Sequence, residues 1–168
     1  MNDELTRVDI EKMKAELEDR RLNIRPKIME DVKTARAFGD LSENYEYKAA
    51  KEAQRRNDSR MRYLEKMIAT AKVIDVQEAS ADTVGLFSKV TLFNEKLGKE
   101  QVIRIVTTLR QDALKGLISK ESPVAKALMG HKVGERVEIA VSPDMKYTVE
   151  IRGVEPGEDD ASIEISSF

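Results

Sequence analysis

From Thr6 to Ala37, apolar residues recur at Ile10, Met13, Leu17, Ile24, Ile28, Val32 and Ala35, separated by three, four or seven positions. That spacing lines one face of an α-helix. Asp3 or Thr6 is suited to cap its start. Pro26 interrupts the pattern; it lacks an N–H and crowds the preceding turn, so it predicts a bend or a local opening. A second pattern, Tyr47, Ala50, Gln54, Asn57, Met61, Leu64, Ile68 and Ala71, alternates steps of three and four. This is the seam of a coiled coil, with Gln54 and Asn57 as polar positions that set its register. Only a short Gly-containing stretch separates the two patterns, and helices so joined run antiparallel. Residues 6–72 therefore read as a helical hairpin whose arms, at about 30 residues each, project ~45 Å.

Beyond Val73 the period changes to two, at Val90 and Leu92, Ile103 and Ile105, Val137 to Val141, and Tyr147 to Ile151. "SPDMK" at 142–146 and "LGK" at 97–99 supply hairpin turns. One short helix interrupts, "SPVAKALMG", with Ser122 as N-cap, Pro123 in its first turn and Gly130 past its end. The predicted class is α+β: an N-terminal antiparallel coiled-coil hairpin (1–76), a small antiparallel sheet domain with one helix (77–156), and an acidic tail (157–168).

Composition narrows the chemistry. The 168 residues include no Cys and no Trp, and 36% are charged. Disulfides, thiolate metal sites and cysteine nucleophiles are excluded, and a reducing, cytoplasmic setting is expected. The N-terminus shows no apolar signal region and no stretch reaches a membrane span's length, so no membrane role is expected. Residues 1–76 carry 17 basic and 16 acidic side chains, and 77–168 carry 12 and 15. Neither part is a general polyanion binder, so nucleic-acid contact requires local clustering.

The connection "RAFGDLSENYEY" (36–47) holds two carboxylates three residues apart, Asp40 and Glu43. A structural reading makes Gly39 a left-handed helix end, Asp40 the N-cap of the second helix, and Glu43 its N3 partner in a capping box. A functional reading starts from the coordination of Mg²⁺, which takes hard oxygens and is commonly held by one or two carboxylates plus substrate phosphates. Two acids on a long stalk suffice to complete a site whose other ligands belong to another macromolecule. The two readings are compatible.

"RPKIMEDVKTARAFGDLSENYEYKAAKEAQ" (25–54) and "ISKESPVAKALMGHKVGERVEI" (118–139) resemble the GreA/GreB family of bacterial transcript cleavage factors, and the likeness extends over most of 6–154. The family has a proline at the place of Pro26. The resemblance implies that the hairpin enters the secondary channel of RNA polymerase while a C-terminal domain of prolyl-isomerase-like fold docks at its rim. It implies that Asp40 and Glu43 help hold a Mg²⁺ shared with the polymerase, present only in that complex, so that the backtracked 3′ end of the nascent RNA is hydrolysed. The chain is then an accessory factor rather than an enzyme by itself, and it is expected to be a monomer. Two alternatives are a family relative that blocks the channel without cleavage and a helical-hairpin adaptor for some other protein.

Arg20, Arg21, Arg25, Arg55, Arg56, Arg60 and Arg62 fall ~25 Å behind the tip in an antiparallel hairpin. They read either as a solvated charged face or, by the resemblance, as an RNA-contacting patch. Ser122 and Pro123 are by the same resemblance near the polymerase-docking surface. His131, the single histidine, has no companion that would suggest catalysis. Three features depart from the family pattern: "VTTLRQDAL" (106–114) lacks an expected glycine, "SPDM" replaces a Gly-rich turn, and 157–168 run past the usual end.

Overall fold

The computed structural model describes residues 2–39, 42–76 and 81–167. They group into two compact units, one of residues 1–3 and 10–71, the other of residues 4–9 and 72–168.

The first unit is the helical hairpin. Helix α1 (Arg7–Asp19) runs into one wide π-helical turn (Arg20–Ile24), and α2 (Arg25–Arg36) follows without a break in direction of winding. The wide turn lies immediately before Pro26, and the Arg25 N–H bonds the Arg20 carbonyl five residues back. An α-helical residue 26 would have donated to the carbonyl of Leu22; proline cannot, and the helix absorbs the lost bond by widening locally. The predicted opening takes this form. Helix α3 (Tyr45–Thr70) returns antiparallel: Glu16 meets Arg60 and Arg20 meets Asn57, so partner numbers rise on one arm as they fall on the other. Met13, Leu17, Ala35, Met61, Leu64 and Met67 are buried. Asn57 is buried among them and accepts from Arg20 at 2.9 Å, as a polar register position should.

The second unit contains a five-stranded sheet in the order β5-β4-β3-β7-β6, with β3 (Lys89–Asn94), β4 (Lys99–Val106), β5 (Leu117–Ser119), β6 (Arg136–Ser142) and β7 (Met145–Glu155). The alternating residues form its core, with Val90, Leu92, Ile103, Ile105, Val137, Ile139, Val149 and Ile151 all buried. Helix α4 (Pro123–Leu128) adds Ala125 and Leu128 to that core. The sheet is mixed rather than wholly antiparallel as expected, because β5 runs parallel to β4. A second parallel pair, β1 (Glu4–Leu5) with β2 (Lys72–Val73), stands apart from the main sheet. Strands of two or three residues carry no readable alternation, so neither was visible in the pattern.

The predicted boundaries shift accordingly. Residues 4–9 and 72–76 group with the second unit, and residues 157–167 are not a loose tail. Ser166 donates its N–H to the Leu109 carbonyl at 2.7 Å and its hydroxyl to Gln111 at 2.8 Å. Gly157 sits so close to Phe87 that a Cβ there would lie 1.8 Å from the Phe87 carbonyl oxygen. Phe87 itself is fully buried at a φ of 65°, a strained conformation for a bulky residue that its surroundings enforce.

The same segment closes over Arg110, which is 1% exposed. The guanidinium ion-pairs with Asp9, also fully buried, and with Asp159 at 2.5 Å. It donates to the Thr6 hydroxyl at 3.1 Å and to the Asp160 carbonyl at 3.0 Å, and lies 5.1 Å from the centre of the Phe87 ring. The segments 106–114 and 157–167 thus meet at one buried cation.

Candidate functional site

Helix α2 ends at Arg36, and the chain turns through Phe38 and Gly39, whose φ of 100° is the left-handed geometry glycine tolerates best. Helix α3 begins at Tyr45 with Asn44 as its N-cap: the side-chain oxygen accepts from the Tyr47 N–H at 3.0 Å. This corrects the expectation that Asp40 and Glu43 form a capping box. The cap stands one residue beyond Glu43, so Glu43 precedes the helix and cannot serve as N3. Asn44 also spans the turn, donating its Nδ2 to the Ala35 carbonyl at 2.6 Å. Its two-sided amide joins both arms, a contact that no linear pattern displays.

Asp40 lies outside the described residues. Glu43 is exposed, and its carboxylate makes no ion pair or hydrogen bond with any described residue. A free carboxylate of this kind suits a hard cation that brings its remaining ligands from elsewhere. Among the described residues, no group of three or more His, Cys, Asp or Glu side chains could hold a metal ion.

The arginines expected as one patch divide into two sets. Arg60 is buried, and its Nε and Nη2 clasp both oxygens of Glu16 at 2.8 and 2.9 Å, while Arg20 adds a third bond to Glu16 at 2.8 Å. Burial raises the Glu16 carboxyl, yet the hydrogen bonds and charges of Arg60 and Arg20 together outweigh it and hold the group below its ordinary range. These two arginines belong to the packing of the hairpin. Arg60 lies three residues after Asn57 and four before Leu64, on the core-facing stripe, and that spacing was the available signal. Arg21 pairs with Glu65 across the hairpin, and Arg55 and Arg56 share Glu52 at 2.6 and 3.1 Å, all exposed. Arg25 and Arg62 are exposed and are in no ion pair with a described residue.

In the second unit the Ser122 hydroxyl accepts from the Ala125 N–H at 3.1 Å, so its side chain is engaged as the N-cap of α4, and Pro123 beside it is exposed. His131 Nδ1 lies 2.6 Å from Glu135 in an exposed turn.

Both units match one family. The model for "Transcription elongation factor, N-terminal" covers residues 4–73 and that for "Transcription elongation factor, GreA/GreB, C-term" covers residues 79–156. The chain belongs to the GreA/GreB family of transcription elongation factors. It is 42% identical over 147 residues to transcription elongation factor GreA of Oenococcus oeni, spanning 88% of this chain and 91% of that protein. It is 46% identical over 140 residues to that of Rhodopseudomonas palustris strain TIE-1, spanning 83% and 88%. Among solved structures, the GreA factor homolog of Thermus thermophilus is 24% identical over 92% of this chain and 99% of that one, with a TM-score of 0.40. Residues 157–167, of which Asp159 and Asp160 bond Arg110, lie beyond both matched segments of this elongation factor.

Proposed function

We propose that this chain acts on RNA polymerase as an accessory cleavage factor, its hairpin carrying Asp40 and Glu43 through the secondary channel to the polymerase active centre. The observation that carries this reading is the division of labour at the tip: Asn44 caps α3 and braces the turn, so the exposed Glu43 carboxylate is not needed to hold the fold. Asp40 is assigned the same role from its place in the family motif. The two acids would lend oxygen ligands to a Mg²⁺ that the polymerase and the RNA phosphate also hold. Such an ion supplies Lewis-acid polarisation and a nucleophilic water at neutral pH. The residues of this chain position those oxygens, on a rigid antiparallel stalk, against the backtracked 3′ segment of the nascent RNA.

The exposed Arg21, Arg25, Arg55, Arg56 and Arg62 are the side chains of the expected patch that remain suited to phosphate contact. The exposed face around Pro123 is assigned to docking on the polymerase, with Ser122 shaping the helix rather than touching the partner. The chain works as a monomer in the cytoplasm. The test uses a stalled, backtracked elongation complex. Wild-type protein should shorten the RNA from its 3′ end, and Asp40→Ala and Glu43→Ala should each still co-purify with core polymerase while losing that activity. Arrest of elongation without shortening would instead mark an inhibitory relative.

A further inference from the structure

Two large aromatic side chains flank the acidic tip and stand almost fully in solvent: Phe38 is 71% exposed and Tyr45 81%. The backbone beside each ring is tied to one acceptor. The Phe38 N–H and the Asn44 side chain each bond the Ala35 carbonyl, at 3.2 and 2.6 Å, and Tyr45 follows Asn44 directly. The rings therefore stand on a braced turn. Around them lie three exposed cations: Lys33 and Arg36 in the last turn of α2, and Lys48 in the first turn of α3. None is in an ion pair with a described residue, and the Lys48 ammonium sits 5.5 Å from the centre of the Tyr45 ring.

We infer that Phe38 and Tyr45 form a stacking platform for the displaced 3′-terminal base of the RNA, with the neighbouring cations meeting its phosphates. Exposed aromatic faces beside unpaired cations are the composition that binds single-stranded nucleic acid: every base offers a π-face to stack, and the backbone offers charge. An apolar protein wall would favour the rings but would leave Lys33 and Arg36 to be desolvated without a counter-charge. The inference rests on the cleavage reading above and deepens it. Phe38 and Tyr45 hold the substrate's end, and the acids serve the metal.

The test compares two backtracked elongation complexes that differ only in the RNA 3′-terminal residue, one with a natural base and one abasic. At saturating factor, the double variant Phe38→Ala, Tyr45→Ala should cleave the natural RNA about tenfold more slowly than wild type, the scale of one stacked base. The abasic RNA should slow the wild type by a similar factor and the double variant little further, and Tyr45→Phe should keep the wild-type rate. Equal loss on both RNAs, or none, overturns the inference while leaving the cleavage reading intact. A raised half-saturating concentration with an unchanged maximal rate also overturns it, because the rings then contact the polymerase. Wild-type protein that leaves both RNAs uncut sinks the cleavage reading and this inference together.

Discussion

Around Arg110, Asp9 is enclosed with its cation while Asp159 closes over it from a partly exposed position, and the hydroxyl of Thr6 and the Asp160 carbonyl complete the donor bonds. At the end of the hairpin, Glu43 is solvated and makes no bond to a described residue, while a neutral side chain, Asn44, does the structural work. Each region is rich in acids, but the physical consequence differs. A buried charge left without its partner is costly, so the first cluster is committed to the fold. A solvated carboxylate beside an independent cap costs the fold little to keep or lose, so the second is available for chemistry. Burial and partnership, more than residue type, separate acids committed to the fold from acids left free of it.

The sharpest way to break this comparison is at Arg110. Arg110→Ala should cost about 3–5 kcal/mol in urea denaturation, because Asp9 would remain buried and unpaired. Arg110→Lys should restore only part of it, since an ammonium cannot fork between two carboxylates and a hydroxyl. A loss below ~1 kcal/mol would mean that water reaches the cluster and the contrast with the tip is false. Next in size is Glu16, whose removal strands the buried Arg60; Glu16→Ala should cost about 3 kcal/mol by the same measurement.

Glu16 also sets a pH dependence. Burial raises its carboxyl, but the hydrogen bonds and charges of Arg60 and Arg20 hold it below the ordinary range, to which it returns on unfolding. Between the folded and unfolded values the unfolded chain binds more protons, so stability rises with pH. The contribution of Glu16 is complete above the unfolded value and is lost as pH falls through the folded one. Glu16→Gln should flatten the acid limb of a stability profile, and an unchanged limb would show that the pair is solvated. Smaller again is Asn44→Ala, expected to cost about 1 kcal/mol as a lost helix cap. Smallest of all, Asp40→Ala and Glu43→Ala should each shift stability by no more than ~0.5 kcal/mol. A loss as large as that of Asn44→Ala would return those acids to a capping role.

The hairpin and the four longer strands were legible because burial imposes a period on the sequence: three and four for Met13, Leu17, Met61 and Leu64, two for Ile103 and Ile105. Pro26 was legible because its missing donor has only a few structural remedies. The cap was not. Asp40 with Glu43 fits a capping box as well as Asn44 fits a single cap, and the bond from Asn44 to Ala35 that accompanies the latter is tertiary. The arginine patch was overdrawn because a charged residue reads as exposed, although Arg60 occupies a core-facing position and finds Glu16 on the other arm. The segment 157–168 read as a tail because its acids look solvated until Arg110, some fifty residues earlier, supplies a buried partner. Family membership was carried by the two motif segments, 25–54 and 118–139.

The central claim is that the tip acids reach a metal ion belonging to the polymerase, and a cryo-EM reconstruction of this chain bound to a backtracked elongation complex tests it most directly. The account predicts carboxylate oxygens of Asp40 and Glu43 within ~2–4 Å of the active-centre magnesium, coordinating it directly or through a bound water. A complex that still trims its RNA while those oxygens lie well beyond the reach of one bridging water would contradict it.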